Sequence, residues 1–234
     1  MSAMLKDLRR TARTEGMALG PFKTCAPFLR SYGFQPDVVF DVGVGDGTPW
    51  LYRSYADARF VLIDPREDCG EAVKAKGVLK DFHFHATALG AKDGMGQLQM
   101  PYSDKGQRPD MASLRTRTDK LANSILRVEE HSVPVRPLDQ IAVAYPGRAG
   151  LKIDTEGFEL EVLQGAQETL LRCDFVILEL SVSPRFEGVG LPSAAIAALA
   201  QAGLEMRDVL HVGAGPGKKA HPRYLDVLFT RWAS

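Results

Sequence analysis

A glycine-rich turn between an apolar strand and a helix is the most informative feature of the sequence. Residues 41–47 read Asp-Val-Gly-Val-Gly-Asp-Gly and directly follow the apolar residues 38–40. Glycines at such positions permit tight turns with positive φ and let a ligand approach the backbone closely. In an open α/β sheet this turn lies at the carboxyl ends of the strands, where ligands bind. We therefore predict a ligand site at this turn.

The spacing of the turn favours a cationic ligand over a pyrophosphate. The dinucleotide fingerprint is G-x-G-x-x-G, whereas this turn has G-x-G-x-G with Asp41 two residues before Gly43. An acidic side chain aimed at the ligand suits S-adenosylmethionine, which carries an ammonium and a sulfonium group. We expect Asp41, Gly43, Gly45 and Gly47 to contact this cofactor. The alternative is a glycine-rich turn with no ligand, which the strand–turn–helix context disfavours.

A second acidic residue ends the next predicted strand. Asp64 follows the apolar residues 60–63 and lies about 20 residues after Gly43, a spacing at which an acid commonly binds ribose hydroxyls. A carboxylate can accept hydrogen bonds from both hydroxyls of a vicinal diol. The alternative is an Asp-Pro turn at a strand end, which is common. Combined with the glycine turn, the ribose interpretation is favoured.

Further carboxylates follow a short predicted strand at residues 151–153 and end the strand after it. Asp154 and Glu156 are close to Glu159, which can stabilise the N-terminus of the next helix. Asp154 is predicted to lie beside the glycine turn, where an ionised group needs a partner. That partner is a hydroxyl substrate, a bound cation or the cofactor ammonium. Glu179, at the end of the next strand, needs a partner in the same way.

These carboxylates allow two chemistries. In the first, Asp154, Glu156 and Glu179 act as catalytic groups that orient a nucleophile and remove its proton. In the second, the same three residues hold magnesium or a similar hard cation, which prefers oxygen ligands and lowers the pKa of a bound hydroxyl. The site assignment that we adopt contains no metal.

The elements that must position these residues alternate between apolar runs and helical stretches. This alternation is typical of a parallel sheet covered by helices on both faces. Strands are predicted at residues 38–41, 60–64, 82–89, 151–154, 175–179, 204–212 and 224–229, and helices after residue 48 and at 66–77, 160–170 and 193–202. Residues 90–148 are less regular and predict an insertion beside the main sheet. Short strands are expected there at 96–100 and 111–114, with an edge strand around Val133 and Val135 because Pro134 interrupts it.

The composition excludes several classes of protein. Lys+Arg 29 balances Asp+Glu 29 in 234 residues, which argues against a broad nucleic-acid-binding surface. No apolar stretch is long enough for a membrane span, and no apolar leader is visible. Three widely spaced cysteines argue against a disulfide framework and a zinc site, and favour the reducing cytoplasm. We predict one domain over residues 1–234. Its helical segment 1–34 either covers the site as a lid or docks elsewhere, and 35–234 form the core with the insertion at 90–148.

Several motifs follow one another in an order that resembles a known family. They are VVFDVGVGDG at residues 38–47, Asp64-Pro65, Pro137-Leu138-Asp139, KIDTEGFE at 152–159 and VLQGA at 162–166. Together they resemble the FkbM family of S-adenosylmethionine-dependent methyltransferases, over roughly residues 35–182, with the Lys-Ile-Asp-x-Glu-Gly block as the most specific part. At position 64 this chain has Asp where many members have Glu.

The resemblance implies a fold and a reaction. The fold is a Rossmann-like class I methyltransferase fold, an α/β architecture whose seven-stranded, mostly parallel sheet has an antiparallel last strand and helices on both faces. The reaction is O-methylation of a small molecule, a sugar or another secondary metabolite. We assign cofactor contacts to Asp41, Gly43, Gly45, Gly47, Asp64, Thr87, Ala88 and Asp154.

Other interpretations stay open. The chain is either an enzyme or a non-catalytic module that binds S-adenosylmethionine, while a nicotinamide-dependent oxidoreductase is disfavoured by the glycine spacing. Arg115 and Arg117 either face an anionic group of the substrate or, as the safer expectation, lie on a solvated strand face; Lys218 and Lys219 pose the same choice in a loop. An exposed sheet edge near residues 131–138 would support a homodimer.

Overall fold

The computed structural model describes residues 3–15, 20–214 and 221–232. The helices are α1 Ala3–Thr14, α2 Ala26–Arg30, α3 Pro49–Ser54, α4 Asp68–Ala75, α5 Leu138–Ala142, α6 Glu159–Gln164, α7 Gln167–Leu171 and α8 Pro192–Gln201. The strands are β1 Val38–Val42, β2 Arg59–Asp64, β3 His83–Ala86, β4 Ala88–Leu89, β5 Gly94–Ser103, β6 Gly106–Gln107, β7 Arg127–Arg136, β8 Ala149–Ile153, β9 Cys173–Ser181, β10 Leu204–Ala214 and β11 Pro222–Arg231. None of the described helices combines the length and apolar character needed to cross a bilayer.

The main sheet has seven strands in the order β10-β11-β9-β8-β1-β2-β3. Neighbouring strands among β9, β8, β1, β2 and β3 pair in parallel, whereas β11 is antiparallel to both of its neighbours, β9 and β10. This confirms the predicted Rossmann-like class I methyltransferase fold with its antiparallel last strand. The chain runs outward from β1 to β3 and then returns to β8 on the other side of β1. The crevice between β1 and β8 is therefore the topological switch point at which such sheets bind ligands.

Alternation along the central strand builds a core on each face of the sheet. Val38, Phe40 and Val42 of β1 pack into one apolar cluster, together with side chains of α5, α6, α7 and α8. Val39 points to the other face and packs against residues of α2, α3 and α4. Because successive side chains of a strand point to opposite faces, Asp41 lies on the same side as Val39. This placement decides what Asp41 can contact.

The insertion is more regular than the sequence predicts. Part of residues 90–148 forms a second sheet in the order β4-β7-β5-β6. The strand predicted at residues 82–89 breaks at Thr87, so that β3 joins the main sheet and β4 the second one. The strand predicted at 111–114 is absent from the described residues. A 3-10 turn, Pro109–Met111, and one isolated bridge between Gln99 and Ser113 take its place.

The prediction that residues around Val133 form an edge strand is right only in part. Strand β7 pairs antiparallel with β5 over residues 127–135, whereas β4 pairs in parallel with its other side only at Val135 and Arg136. Pro134 is tolerated because β4 pairs with β7 only at Val135 and Arg136, while the Thr87 hydroxyl donates to the Pro134 carbonyl at 3.0 Å. Among the described strands, none pairs with this side of β7 at residues 131–134, and the homodimer stays a prediction.

Candidate active site

A cavity of about 580 Å³ opens at the carboxyl ends of β1, β2 and β8. This volume lies within the range of small-molecule sites, roughly 300–1,000 Å³. The glycine turn and the ends of β2 and β8 form the inner side, and the second sheet contributes the opposite wall through residues such as Leu98 and Leu114. The insertion thus helps to enclose the site that the main sheet creates.

The three glycines of the turn all have positive φ, with values of 72° at Gly43, 52° at Gly45 and 95° at Gly47. A Cβ at Gly43 would lie 1.7 Å from the Asp154 carbonyl oxygen, so this glycine lets the turn pack onto the end of β8. A Cβ at Gly45 would meet no atom within 4 Å. Since Gly45 lines the cavity, its missing side chain leaves room for a ligand.

Asp41 does not point at the ligand, and this part of the sequence prediction is wrong. The residue is fully buried and does not line the cavity. The Tyr52 hydroxyl donates to its Oδ2 at 2.7 Å, and the Lys152 ammonium lies 3.3 Å from its Oδ1. Burial and the charge of Asp41 both raise the pKa of Tyr52, which keeps the hydroxyl protonated as a donor. The pleat directs Asp41 toward α3, where Tyr52 is located.

Lys152 is a cavity residue that the sequence analysis did not single out. Its Nζ lies 3.3 Å from Asp41, 3.4 Å from Asp154 and 3.4 Å from the Gly43 carbonyl oxygen. Burial alone would lower the pKa of Lys152, but the charges of Asp41 and Asp154 together raise it. A lysine within the apolar strand Leu151-Lys152-Ile153 was the available signal.

Asp64, which is predicted to contact the cofactor, lines the cavity. Its carboxylate accepts from the Gly45 backbone N–H at 3.0 Å and from the Arg66 N–H at 2.9 Å. It therefore holds the glycine turn from the neighbouring strand while facing the ligand space. Thr87 and Ala88, the remaining predicted contacts, also line the cavity.

The structure brings Asp154, Glu156 and Glu179 together, with one carboxylate oxygen of each within 4.8 Å of the others. Asp154 and Glu156 line the cavity, but Glu179 does not. Glu179 is buried and pairs with Arg185. Burial and the charges of Asp154 and Glu156 raise the pKa of Glu179, and Arg185 opposes this rise. Glu179 thus pairs with Arg185 outside the cavity lining, which does not match the expectation that it acts directly on a substrate.

Glu156 has an unusual backbone and an unusual acidity. Its φ of 51° makes it the one non-glycine residue with positive φ in the described part of the chain. Such conformations persist where the surroundings enforce them, often at functional sites. The Ser113 hydroxyl donates to its carbonyl at 2.6 Å, and Arg117 pairs with its carboxylate at 2.6 Å. Burial and the Asp154 charge raise the pKa of Glu156 to about 7, against the opposing effect of two arginines.

The expectation of a solvated face for Arg117 is wrong. Arg117 is buried and lies 4.5 Å above the ring of Phe186, while Arg185 lies 3.8 Å from Glu156. Arg115 is partly buried and pairs with Glu161. The sequence gives no signal for these pairs, because each partner is far away along the chain. Lys218 and Lys219 lie outside the described residues.

Asp226 is a second cavity residue that the sequence did not reveal. It lies directly opposite Glu179 in the pairing of β9 with β11. Burial and the Asp154 charge raise the pKa of Asp226 to about 6, although Lys152 opposes the rise. Its carboxylate makes no hydrogen bond or ion pair with the part of the chain that the structure describes. Asp226 therefore presents to the cavity a carboxylate that makes no hydrogen bond, although the charges of Lys152, His211 and Arg185 act on it.

Comparison with known proteins adds a family and several structural likenesses. Residues 41–214 match the methyltransferase FkbM domain. A search of curated proteins finds no match.

Three solved structures illustrate the structural likenesses. 1,6-didemethyltoxoflavin-N1-methyltransferase of Burkholderia thailandensis has 15% identity, 98% of this chain and 86% of that chain covered, and a TM-score of 0.44. Magnesium protoporphyrin IX methyltransferase of Synechocystis has 14% identity, 99% and 85% covered, and a TM-score of 0.46. Precorrin-6y C5,15-methyltransferase of Geobacter metallireducens has 11% identity, 87% and 85% covered, and a TM-score of 0.45.

Proposed function

Since the chain belongs to the methyltransferase FkbM domain family, we propose that it is an S-adenosylmethionine-dependent methyltransferase. It transfers the methyl group to a hydroxyl oxygen of a small molecule, a sugar or another secondary metabolite. One observation carries this proposal: a single cavity joins an open glycine turn to Glu156, a carboxyl group whose pKa is about 7.

The residues of the cavity fit S-adenosylmethionine. The space next to Gly45, where a Cβ would meet nothing within 4 Å, accommodates a ligand against the backbone. Asp64 would hold the ribose hydroxyls, with Thr87 and Ala88 beside it. The carboxylate of Asp154, partly exposed to the cavity, would hold the cofactor ammonium. When bound, the cofactor supplies an activated methyl group on a sulfonium.

The side chains of the protein then have two tasks, which are to orient the acceptor and to accept its proton. Glu156 accepts the hydroxyl proton on its carboxylate, since a base whose pKa is near the working pH is efficient. Arg117 and Arg185 hold this carboxylate in place. Glu179 does not line the cavity, and in this proposal it positions Arg185 through their ion pair and does not contact the acceptor. Most of the remaining rate enhancement comes from alignment of the hydroxyl oxygen with the methyl carbon.

Binding of S-adenosylhomocysteine tests the proposal most directly. We expect a dissociation constant in the micromolar range, the scale of many enzyme–substrate complexes. Thermal unfolding should shift upward with ligand concentration because the ligand binds the folded state. NADH, followed by fluorescence titration, serves as the control and should not bind. A folded protein that shows no shift with S-adenosylhomocysteine would count against the proposal.

A metal-assisted reaction is the second candidate. The close approach of carboxylate oxygens from Asp154, Glu156 and Glu179 supports it, because hard cations prefer such ligands. The pairing of Glu156 and Glu179 with arginines opposes it, since these two carboxylates already have cationic partners. We propose the metal-free reaction and expect EDTA to leave the rate of methyl transfer unchanged. Loss of activity with EDTA and recovery with magnesium would favour the metal-assisted one.

Two further assignments accompany the proposal. We propose that the protein acts in the cytoplasm, because Cys25, Cys69 and Cys173 are all free thiols. We also propose that it is an enzyme and not a non-catalytic binding module. The strained backbone of Glu156 at the cavity supports catalysis, because strain of this kind costs free energy that simple cofactor binding does not require. Turnover with a panel of hydroxyl acceptors distinguishes the two.

A further inference from the structure

We propose that Lys152 is a positioning residue through which Asp41 acts on the cofactor site. Asp41 holds the Lys152 ammonium, and this ammonium fixes the Asp154 carboxylate and the Gly43 carbonyl. The inference deepens the proposed function and rests on it, because cofactor binding is its readout.

The pairing of the central strands places the two residues together. In the register of β1 with β8, Asp41 lies directly opposite Lys152. The Lys152 Nζ then has three oxygen neighbours, at 3.3 Å from Asp41 and 3.4 Å from both Asp154 and the Gly43 carbonyl. An ammonium has three N–H donors and no acceptor. The Lys152 ammonium thus donates a hydrogen bond to the Gly43 carbonyl and forms ion pairs with Asp41 and Asp154, so its charge is already balanced within the protein.

Asp41 is equally occupied. Tyr52 donates to its Oδ2 at 2.7 Å, Lys152 neutralises its Oδ1, and the residue is 0% exposed. A buried carboxylate is costly unless it is paired, and the Lys152 ammonium is the charge that pairs with Oδ1, although Oδ1 makes no hydrogen bond. Because Asp41 is buried and does not line the cavity, a ligand there does not reach its carboxylate. Its effect on the site passes through Lys152.

The third group of this network does reach the cavity. Asp154 keeps 36% of its side chain exposed and lines the ligand space. Lys152 orients this carboxylate through their ion pair and also donates a hydrogen bond to the Gly43 carbonyl of the glycine turn. The site that meets the cofactor ammonium is therefore Asp154, and Lys152 sets its geometry.

Two ligands separate positioning from a general structural role. S-adenosylhomocysteine carries the amino-acid group, whereas 5′-methylthioadenosine has the adenosine and thioether without it. We expect Lys152→Met to weaken S-adenosylhomocysteine at least about tenfold, a loss typical of a hydrogen bond to a charged group. Binding of 5′-methylthioadenosine should change less than about twofold on the same scale. Equal losses for both ligands, or no loss for either, would overturn the inference.

A double variant tests whether Asp41 acts only through Lys152. Asp41→Asn/Lys152→Met should bind S-adenosylhomocysteine as Lys152→Met does, because couplings within one network are non-additive. A further tenfold loss would show direct contact between Asp41 and the ligand, which overturns the inference. Should Lys152→Met fail to fold, Asp41→Asn and the charge-neutral double variant are compared instead. Asp41→Asn alone is then expected to bind S-adenosylhomocysteine more tightly than the double variant does. Equal affinities of the two variants would overturn the inference.

The controls keep the two proposals apart. Lys74→Met removes an exposed lysine that pairs with Glu71 and should leave both affinities unchanged. Wild-type protein that binds neither ligand would overturn the proposed function together with this inference. Wild-type protein that binds both, with an unselective loss in Lys152→Met, would overturn this inference alone.

Discussion

Gly43 and Gly45 are close neighbours in the turn, yet the structure gives them different tasks. Gly43 packs against the backbone of Asp154, where a Cβ would come within 1.7 Å of the carbonyl oxygen. Gly45 faces the cavity, and a Cβ there meets nothing within 4 Å. Gly43 thus permits close backbone packing, and Gly45 leaves space in the cavity for the proposed ligand.

The two alanine variants should separate these tasks. We expect Gly43→Ala to lower the free energy of unfolding by at least about 3 kcal/mol, since backbone strain and a backbone clash combine. Gly45→Ala should cost only about 1–2 kcal/mol, the conformational penalty alone, but weaken S-adenosylhomocysteine. Urea unfolding and titration calorimetry measure the two effects. Equal destabilisation by both variants would contradict this division.

The acidity of Glu156 gives the reaction a defined pH dependence. Its pKa is raised to about 7, so the carboxyl group is protonated below that pH and cannot accept a proton. The rate of methyl transfer should therefore rise with pH through about 7 and level off above it. Glu156→Gln should lower kcat by roughly 10²–10⁴-fold, the usual contribution of a general base. A pH–rate profile checks this, with the exposed Glu71→Gln as control. A pH–rate profile that stays the same in Glu156→Gln would show that a group other than Glu156 accepts the proton of the hydroxyl acceptor.

Individual residues differ in how far the sequence could predict them. Gly43, Gly45 and Asp64 follow from local motifs, because the strand–turn–helix context fixes their surroundings. The direction of Asp41 does not follow, since it depends on which face of the sheet the strand presents to α3. Arg185 and Asp226 are also unpredictable, because their neighbours in the site come from other strands.

At the scale of elements, the segment 113–118 connects the second sheet to the candidate base. The Ser113 hydroxyl donates to the Glu156 carbonyl at 2.6 Å. The Thr118 N–H donates to the Arg185 carbonyl at 2.8 Å, and the Glu187 N–H donates to the Thr116 carbonyl at 2.9 Å. The insertion therefore acts on Glu156 as well as enclosing the cavity.

Arg117 is the arginine of this segment that pairs with Glu156, and its removal should affect both stability and pH dependence. Arg117→Met leaves the Glu156 carboxylate with one cation fewer, so the pKa of Glu156 should rise further and the pH–rate profile move to higher pH. Loss of one partner from a buried pair should cost about 3–5 kcal/mol in urea unfolding. Arg127→Met, which removes an exposed arginine of β7, should change neither the stability nor the pH–rate profile. A pH–rate profile that is unchanged in Arg117→Met would show that the segment 113–118 does not influence catalysis through Glu156.

The elements of the main sheet were predictable, whereas the second sheet was not. Buried parallel strands appear as continuous apolar runs, which residues 38–40, 60–63 and 175–178 contain. Strand β5 contains two glycines and a proline, so its alternation is weak, and its partner β7 follows more than 20 residues later. The run at 82–89 alternates without a break, but its chain leaves one sheet for another at Thr87. Such a change depends on tertiary packing that no local pattern records.

At the scale of the whole molecule, a neutral chain places its charges unevenly. The formal net charge is zero, yet the cavity is lined by Asp154, Glu156 and Asp226 at its acidic end. Lys152 and Arg66 are the cations among the described lining residues, and each is already paired with carboxylates. No lining cation is therefore left for an anionic acceptor, and the field of the cavity opposes one.

This charge distribution predicts discrimination between related acceptors. For a hydroxyl acceptor that carries a second hydroxyl, the derivative phosphorylated at that second hydroxyl should react with a kcat/KM at least about tenfold lower, because like charges in a desolvated site repel strongly. Asp226→Asn should narrow this difference in kcat/KM, since it removes the charge of a carboxylate that lines the cavity and makes no hydrogen bond or close ion pair with the described residues. Formation of S-adenosylhomocysteine measures both rates, and Glu71→Gln, far from the cavity lining, should keep the wild-type ratio. A preference for the phosphate ester would mean that Lys152 or Arg66 exchanges its carboxylate partner for the substrate, which would also contradict the positioning role of Lys152.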